Sequence, residues 1–439
     1  MSESDISSLT AAGEALSRYE GPGTPWIHVR PKTAEQLSSL LREASEAGIG
    51  VIASRPGALP TRSLKGPLTF LDLSALASVR EHCLDDQVIT VEGGMSMQEL
   101  DLILAKHRQW WPAFACYGES TIADVINYGE GGCLEHGFGG PRDLVLGLSV
   151  ALASGEIIKC GGKVVKNVTG YDLQKLFVGS RGWLGVILEA SLRLFARPQA
   201  ARSLAWTVDE PGHLLEAAGK LLRSGLPLSC LELADARLWN KIKNRQGTPA
   251  SDSKETILPE RCGFGVLLIQ VHGQEAAVGE VVERAQLLLG DLLEPATVLP
   301  DLFADRVWSD LSACLVGRLS PPCPADSGAV VEICLPAGRL EELWQFFGQE
   351  GRNLSWQARP GRGRLKVMVD GAPAMLDLLQ LLQSCALRWA EPLVVAYCDD
   401  DFDFRVDTLP VQDEQGRALK QQIKERFDPK RCLNPLVSL

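Results

Sequence analysis

The sequence predicts an α+β protein of more than one domain, on three observations. It holds 439 residues, whereas single hydrophobic cores stop growing at roughly 250 to 300. Apolar residues recur at strand and helix spacing in alternation in both halves of the chain. Between those regions, from Gly118 to Pro198, short strands are separated by glycine-rich turns, as though backbone rather than side chains were the working part.

The N-terminal unit opens with a strand from Trp26 to Val29. A helix follows from Thr33 to Ala47: Leu37, Leu40, Leu41 and Ala44 share one face, Thr33 caps the start, and Gly48 and Gly50 end it. Val51 to Ala53, Leu68 to Leu71 and Val88 to Val91 are further strands, and Ser96 to His107 is an amphipathic helix carrying Met97, Leu100, Ile103 and Leu104 on one face. The glycine-rich stretch holds strands at Leu146 to Leu152, Glu156 to Cys160 and Val186 to Leu194, and Arg197-Pro198-Gln199 marks a domain exit.

Beyond it come a strand from Leu204 to Val208, a helix from Gly212 to Arg223 and a strand from Leu228 to Leu233. A polar run, Lys241 to Arg261, reads as a loop before the strand Gly265 to Val271 and the helix Glu275 to Leu289. A second round follows: strand Val330 to Leu335, helix Leu340 to Phe347, strands Leu354 to Ala358 and Leu365 to Val369, helix Met375 to Leu387, strand Leu393 to Tyr397. Two rounds of sheet covered by helices predict a ferredoxin-like α+β cap domain. Val411 to Leu439, led by a charged helix through Phe427, reads as a tail that packs back on the first domain. The expected division is residues 1–200, a cap at 201–400 and a tail at 401–439.

Composition excludes several classes. Hydrophobic residues make up 45% and charged residues 23%, the balance of a globular protein. Asp plus Glu outnumber Lys plus Arg, 55 to 44, and the net charge of -11 repels a phosphate backbone, so no nucleic-acid partner is expected. No apolar run approaches the roughly 18 residues of a membrane-spanning helix, and Met1 to Thr10 lack the basic start and apolar run of a secretory signal. A cytoplasmic protein is expected, peripheral to a membrane only through partners. Twelve cysteines contain no C-x-x-C pair, which reads as buried reduced thiols rather than an iron-sulfur or zinc site.

The run Gly161 to Pro198, GGKVVKNVTGYDLQKLFVGSRGWLGVILEASLRLFARP, closely resembles the block that FAD-binding domains of the vanillyl-alcohol-oxidase (PCMH) type share with bacterial glycolate oxidase subunits. Thr121-Ile122, Gly131-Gly132 and Gly140-Pro141-Arg142-Asp143-Leu144-Val145-Leu146-Gly147 follow the family order, and Phe427-Asp428-Pro429-Lys430-Arg431-Cys432-Leu433-Asn434-Pro435 resembles its closing motif. The resemblance covers about Trp26 to Pro198 and the C-terminal segment. It is most similar to the E-type subunit of glycolate oxidase.

That resemblance implies FAD, whose pyrophosphate the backbone N–H groups of glycine-rich turns would cradle. The residues it places at the cofactor are Arg55, Gly57, Thr121, Ile122, Gly131, Gly132, Asp143, Gly179, Ser180, Gly182, Leu184, Gly185, Val186, Ile187 and Asn434. Val186 and Ile187 would act through their main chain. Binding would be non-covalent, because neither the Arg55 loop nor the Gly179 loop offers a histidine or cysteine for a tether.

Three departures bear on that site. The loop Ser54-Arg55-Pro56-Gly57-Ala58-Leu59-Pro60 lacks the family's glycine run, and two prolines delete donors that Arg55 or Arg62 would have to replace by charge. Asp124 stands where the family has a glycine, a carboxylate that repels phosphate unless it turns away or pairs with an arginine, so glycine at Ala58, Ala123 and Asp124 together is expected to strengthen flavin binding. Trp183 adds bulk in the third turn.

Oxidation of a 2-hydroxy acid needs a base for the hydroxyl proton and a cation for the carboxylate. The six histidines include none after His272, and the histidine-rich motif of the family's catalytic subunits is absent, so no catalytic residue is assigned. His136 reads as a turn histidine or a cofactor neighbour, and the basic turn Arg359 to Arg364 as a solvated hairpin tip or a carboxylate site. The resemblance thus implies a subunit of a glycolate dehydrogenase complex, in electron relay or assembly beside a catalytic flavoprotein subunit and an iron-sulfur subunit. A self-sufficient FAD-dependent 2-hydroxy-acid dehydrogenase and a scaffold that has lost its flavin are the alternatives.

Overall fold

The computed structural model describes residues 13–19, 26–53, 67–113, 120–163, 171–246, 263–316, 328–334, 354–370, 393–397 and 414–435. Arg55, Gly57, the rest of their loop with Arg62, and the helices expected at 340–347 and 375–387 lie outside the described residues.

The first sheet has the order β1 (Glu14–Tyr19), β2 (Trp26–Arg30), β4 (Leu68–Leu71), β3 (Gly50–Ile52), with β2 and β3 both parallel to β4. Parallel neighbours need a crossover, supplied by the helix Ala34–Ala47. The Thr33 hydroxyl accepts from the Gln36 N–H, and Gly48 closes the helix at φ +68°, a conformation that suits glycine. The buried face holds Leu37, Leu40, Leu41 and Ala44.

The second sheet is antiparallel, in the order β5 (Val79–Cys83), β6 (Val88–Glu92), β10 (Val186–Arg193), β8 (Val145–Ala151), β9 (Ile157–Gly161). Its edge strand β5 carries no signal in the sequence, because Val79, Arg80 and Glu81 are exposed and give no apolar alternation. A short ribbon pairs β7 (Gln109–Trp110) with β11 (Phe195–Ala196) just before the chain leaves this unit. One core joins both sheets, from Ile27 and Leu41 through Val91 and Val150 to Ile187 and Leu192, and it takes in Cys432 and Leu433 from the C-terminal segment. We call this unit the body.

The tail enters as a helix, Glu414–Phe427, whose last residue sets its ring edge-on against Phe177 at 5.6 Å. The Val51 N–H then donates to the Cys432 carbonyl at 2.7 Å, and the Asn434 N–H to the Val51 carbonyl at 2.8 Å, which adds the tail to the β3 side of the first sheet.

The two rounds of the cap are fused into a single antiparallel sheet. Among the described residues its order is β15 (Thr297–Leu299), β12 (Ala200–Val208), β14 (Gly265–Gly273), β13 (Cys230–Asp235), β17 (Leu354–Arg359), β18 (Arg364–Asp370), β16 (Gly328–Cys334), β19 (Leu393–Tyr397). The pairing of β13 with β17 fuses the two halves. Alternation with period two splits the strands between faces. Leu231, Leu233, Leu267 and Ile269 meet the helices Pro211–Arg223 and Glu275–Leu289 on one side. Cys230, Ala234, Val266 and Leu268 face the helices Ala236–Gln246 and Asp301–Val316 on the other.

That second cover departs from the expectation, in which 241–246 belong to a polar loop and 301–316 carry no element. Leu238, Trp239 and Ile242 suffice to bury one narrow stripe of an otherwise polar helix.

Candidate functional site

Two body segments meet at the residues expected to hold the cofactor. The first is the helix Ile122–Tyr128 behind its cap Thr121. The second is the turn from Gly179 to Gly185 that leads into β10, with Gly179 and Gly182 at φ +80° and +72°. They interlock: the Gly179 N–H donates to Ile126 O at 2.9 Å, and the Arg181 N–H to Asn127 O at 2.7 Å.

This interlock changes how the glycine-rich elements can work. The N–H groups of Gly179, Ser180, Arg181 and Trp183 all donate to protein carbonyls, at 2.7 to 3.1 Å. At the helix start the Ile122 N–H donates to Met95 O, the Ala123 N–H to Gly93 O and the Asp124 N–H to the Thr121 hydroxyl. These seven donors, expected to face pyrophosphate, are committed within the protein. Asp124 does turn away from the approach: its carboxylate accepts from both the Thr121 N–H and hydroxyl, at 3.0 and 2.8 Å, and completes a capping box.

Leu184, Val186 and Ile187 are buried side chains of the body core, so whatever they offer a cofactor comes from the main chain. Gly93 must be glycine beside them, since a β-carbon there would sit 2.4 Å from Ile187 O. A β-carbon at Gly185 would likewise sit 2.4 Å from Val150 Cγ1.

The tail closes the same place. The Asn434 side-chain N–H donates to Arg181 O, and Asn434 itself lies in the left-handed region at φ +37°. The Lys424 ammonium donates to Trp183 O at 2.7 Å, Leu433 O at 2.9 Å and Asp428 Oδ2 at 2.7 Å, and lies 5.0 Å from the Trp183 ring centre. Trp183, expected to crowd a flavin, is therefore the platform for the tail's lysine.

Three of the buried oxygens without a partner among the described residues lie here: Asn127 Oδ1, Ser180 Oγ and Asn434 Oδ1. All three belong to residues that meet around Arg181. FAD carries several hydroxyl and N–H donors, so this donor-poor, acceptor-rich wall fits the hydroxyl-bearing or ring portions of the cofactor. Sequence reasoning missed Asn127. Its one signal was an amide closing a run that is apolar but for Asp124, Ile122-Ala123-Asp124-Val125-Ile126-Asn127.

Gly131, Gly132 and Asp143 lie elsewhere, at the junction of body and cap. The Gly131 N–H donates to Glu135 Oε1, Cys133 next to Gly132 is bonded to Ser312 of the cap, and Asp143 accepts from the Gly140 N–H at 3.0 Å. The expected solvated tip at Arg359 to Arg364 instead docks here. Arg359 is 2% exposed; its guanidinium lies 3.1 Å from Glu135, 3.1 Å from Glu232 and 3.6 Å from Glu130. Arg362 donates to Glu135 O, and Arg364 to Glu130.

Burial opposes the Glu130 charge, but Lys366, Arg364 and Arg359 together hold its pKa below the usual value. At Glu232 burial wins over the attraction of Arg359 and pushes the pKa to about 7.

Neither junction histidine is poised as a proton acceptor with a partner at hand. His136 packs under Gly361 and has its pKa lowered by burial and by Arg362. His272 stands among Trp110 and Phe138, at 5.3 and 6.4 Å between ring centres, and burial lowers its pKa to about 4. Among the described residues no helix is long and apolar enough to cross a membrane, and no group of His, Cys, Asp or Glu is arranged to hold a metal.

Residues 25–161 match the FAD binding domain family. The chain is 29% identical over 432 residues to D-lactate dehydrogenase of Archaeoglobus fulgidus, covering 93% of this chain and 90% of that protein. It is 28% identical over 269 residues to glycolate oxidase subunit GlcD of Bacillus subtilis, covering 60% of this chain and 56% of that protein. It is also 30% identical over 217 residues to an uncharacterized FAD-linked oxidoreductase of Mycobacterium tuberculosis, a match spanning 49% of this chain and 47% of that protein, so about half the length of that relative is matched. Among solved structures, alkyldihydroxyacetonephosphate synthase superposes with a TM-score of 0.67 at 16% identity, covering 94% of this chain and 77% of that one, a likeness of fold. Residues 25–161 therefore match an FAD binding domain, which implies FAD as the cofactor, within an α+β fold completed by a cap.

Proposed function

We propose that the chain is an FAD-holding subunit of a 2-hydroxy-acid dehydrogenase complex of the glycolate type, acting in electron relay or assembly beside a catalytic flavoprotein subunit and an iron-sulfur subunit. FAD, when bound, supplies the acceptor for substrate-derived electrons. The observation that carries the subunit role is the state of Arg359. A 2-hydroxy acid needs a cation for its carboxylate, and the buried arginine at the body–cap junction is already surrounded by Glu135, Glu232 and Glu130. A fourth carboxylate would meet repulsion rather than a free charge. GlcD of Bacillus subtilis, by name a subunit, supports the same reading.

A self-sufficient dehydrogenase is the second reading, favoured by the match along 90% of the D-lactate dehydrogenase of Archaeoglobus fulgidus. The two separate in one experiment. The purified chain, loaded with FAD under anaerobic conditions, should keep its oxidised visible spectrum when glycolate or D-lactate is added alone. It should bleach only when the partner subunits are present. Bleaching of the isolated chain would establish the second reading.

A further inference from the structure

At the cofactor wall, away from the charged junction, the fold leaves one cluster of polar side chains unaccounted for. Asn127 Oδ1, Ser180 Oγ and Asn434 Oδ1 are buried and unpaired among the described residues, and all three surround Arg181. Buried polar atoms are paired in nearly all folded proteins, so three orphans in one place point to a missing donor.

The identity of that donor follows from the amide of Asn434. A carbonyl only accepts, so the group facing Arg181 O is the N–H side of the amide, and the oxygen is the atom left over. An amide oxygen cannot pair with a phosphate oxygen. Neither can the amide oxygen of Asn127, while the Ser180 hydroxyl can pair either way. Four N–H groups of the turn, those of Gly179, Ser180, Arg181 and Trp183, are engaged by the protein. The Asp124 carboxylate in the adjoining cap adds negative charge.

We infer that the side chains of Asn127, Ser180 and Asn434 bind FAD directly, and that they take hydroxyl or ring N–H donors of its sugar-alcohol, ribose or ring portions rather than its pyrophosphate. The inference rests on the FAD assignment above and goes further by naming the ligands and the part of the cofactor they read. The tail thereby becomes part of the cofactor wall. Asn434 reaches it only because the Asp428 carboxylate accepts from the N–H groups of Cys432 and Leu433 and shapes the preceding turn.

The test is equilibrium binding of FAD to the full-length chain, followed by flavin fluorescence, with Asn127→Leu, Ser180→Ala and Asn434→Ala. Each is expected to weaken FAD by about tenfold, the worth of one hydrogen bond, and equally at low and high salt. Asn127→Leu buries an apolar group in place of an orphan oxygen, so thermal stability without FAD should be unchanged or higher. A matching loss for FMN places the contacts at the flavin end, and one for ADP at the adenosine end; either supports the inference. Unchanged FAD affinity in both Asn127→Leu and Ser180→Ala would overturn it, as would a loss confined to low salt or shared by inorganic pyrophosphate, since those mark a phosphate contact. If the unaltered chain binds no FAD at all, the cofactor assignment itself falls and takes this inference with it.

Discussion

Arg359 Nη1 and Glu135 Oε2 lie 3.1 Å apart across the junction of cap and body, although 224 residues separate them in sequence. Both are buried, Arg359 at 2% exposure and Glu135 at 3%. Removing one partner of such a pair leaves an uncompensated charge in a dry place. Arg359→Met should therefore destabilise the protein by about 3–5 kcal/mol, since Glu130, Glu135 and Glu232 would face one another with one cation fewer. The double variant Arg359→Met with Glu232→Gln should recover part of that loss. Urea unfolding of the three proteins checks both statements, and equal stability of Arg359→Met and the parent would show the cluster to be energetically idle.

The same cluster sets a pH dependence through Glu232. Its pKa rises from an ordinary 4.5 to about 7, first because it is buried, against the attraction of Arg359. The folded protein then binds more protons than the unfolded chain between those values, so this group's contribution to stability is complete below 4.5 and is lost as pH rises towards 7. Asp235, raised to about 6 by burial, acts with the same sign. His272, lowered from 6.5 to about 4 by burial, acts oppositely: its contribution is present above 6.5 and lost as pH falls to 4. Glu232→Gln isolates the first effect. The melting temperature of the parent minus that of the variant should fall steadily from pH 4.5 to 7 and level off above.

Legibility in the sequence depended on range. The helices 34–47 and 275–289 were legible because their apolar spacing is local, as is the Thr33 cap of the first. The docking of Arg359 was not, because Arg359-Pro360-Gly361-Arg362-Gly363-Arg364 has the composition of a solvated turn, and its burial is decided by Glu130, Glu135 and Glu232 on other segments. The glycines around residue 180 marked a turn where the helix Ile122–Tyr128 and the tail meet. Whether their N–H groups were free hung on Ile126 and Asn127, carbonyls that no sequence pattern reports.

Lys424 offers a cleaner separation of tail and body. Its ammonium is bonded to Trp183 O, Leu433 O and Asp428, and burial lowers its pKa, opposed by Asp428. Lys424→Met keeps the length and apolar stem but leaves two carbonyls and one carboxylate short of a donor, a loss of about 1–3 kcal/mol per orphaned group at most. The tail should loosen before the body unfolds. Limited trypsin digestion should cut within Glu414–Phe427 faster in the variant, at temperatures where the near-ultraviolet spectrum of the rest is unchanged.

Restoring the family's glycines at positions 123 and 124 should not strengthen flavin binding, contrary to what the sequence alone implies. The Ala123 N–H already donates to Gly93 O at 2.8 Å, so Ala123→Gly frees no donor. Asp124→Gly removes both the acceptor for the Thr121 N–H and the far half of the capping box. A lost cap costs about 1 kcal/mol, and each glycine inside a helix about 1 kcal/mol more relative to alanine. The double variant Ala123→Gly with Asp124→Gly should therefore be less stable by about 2–3 kcal/mol, and it should bind FAD no more tightly than the parent. Tighter binding, measured by flavin fluorescence at constant salt, would mean that the helix start opens towards the phosphates once its carboxylate is gone, and that the closed amides are a consequence of Asp124 rather than of the fold.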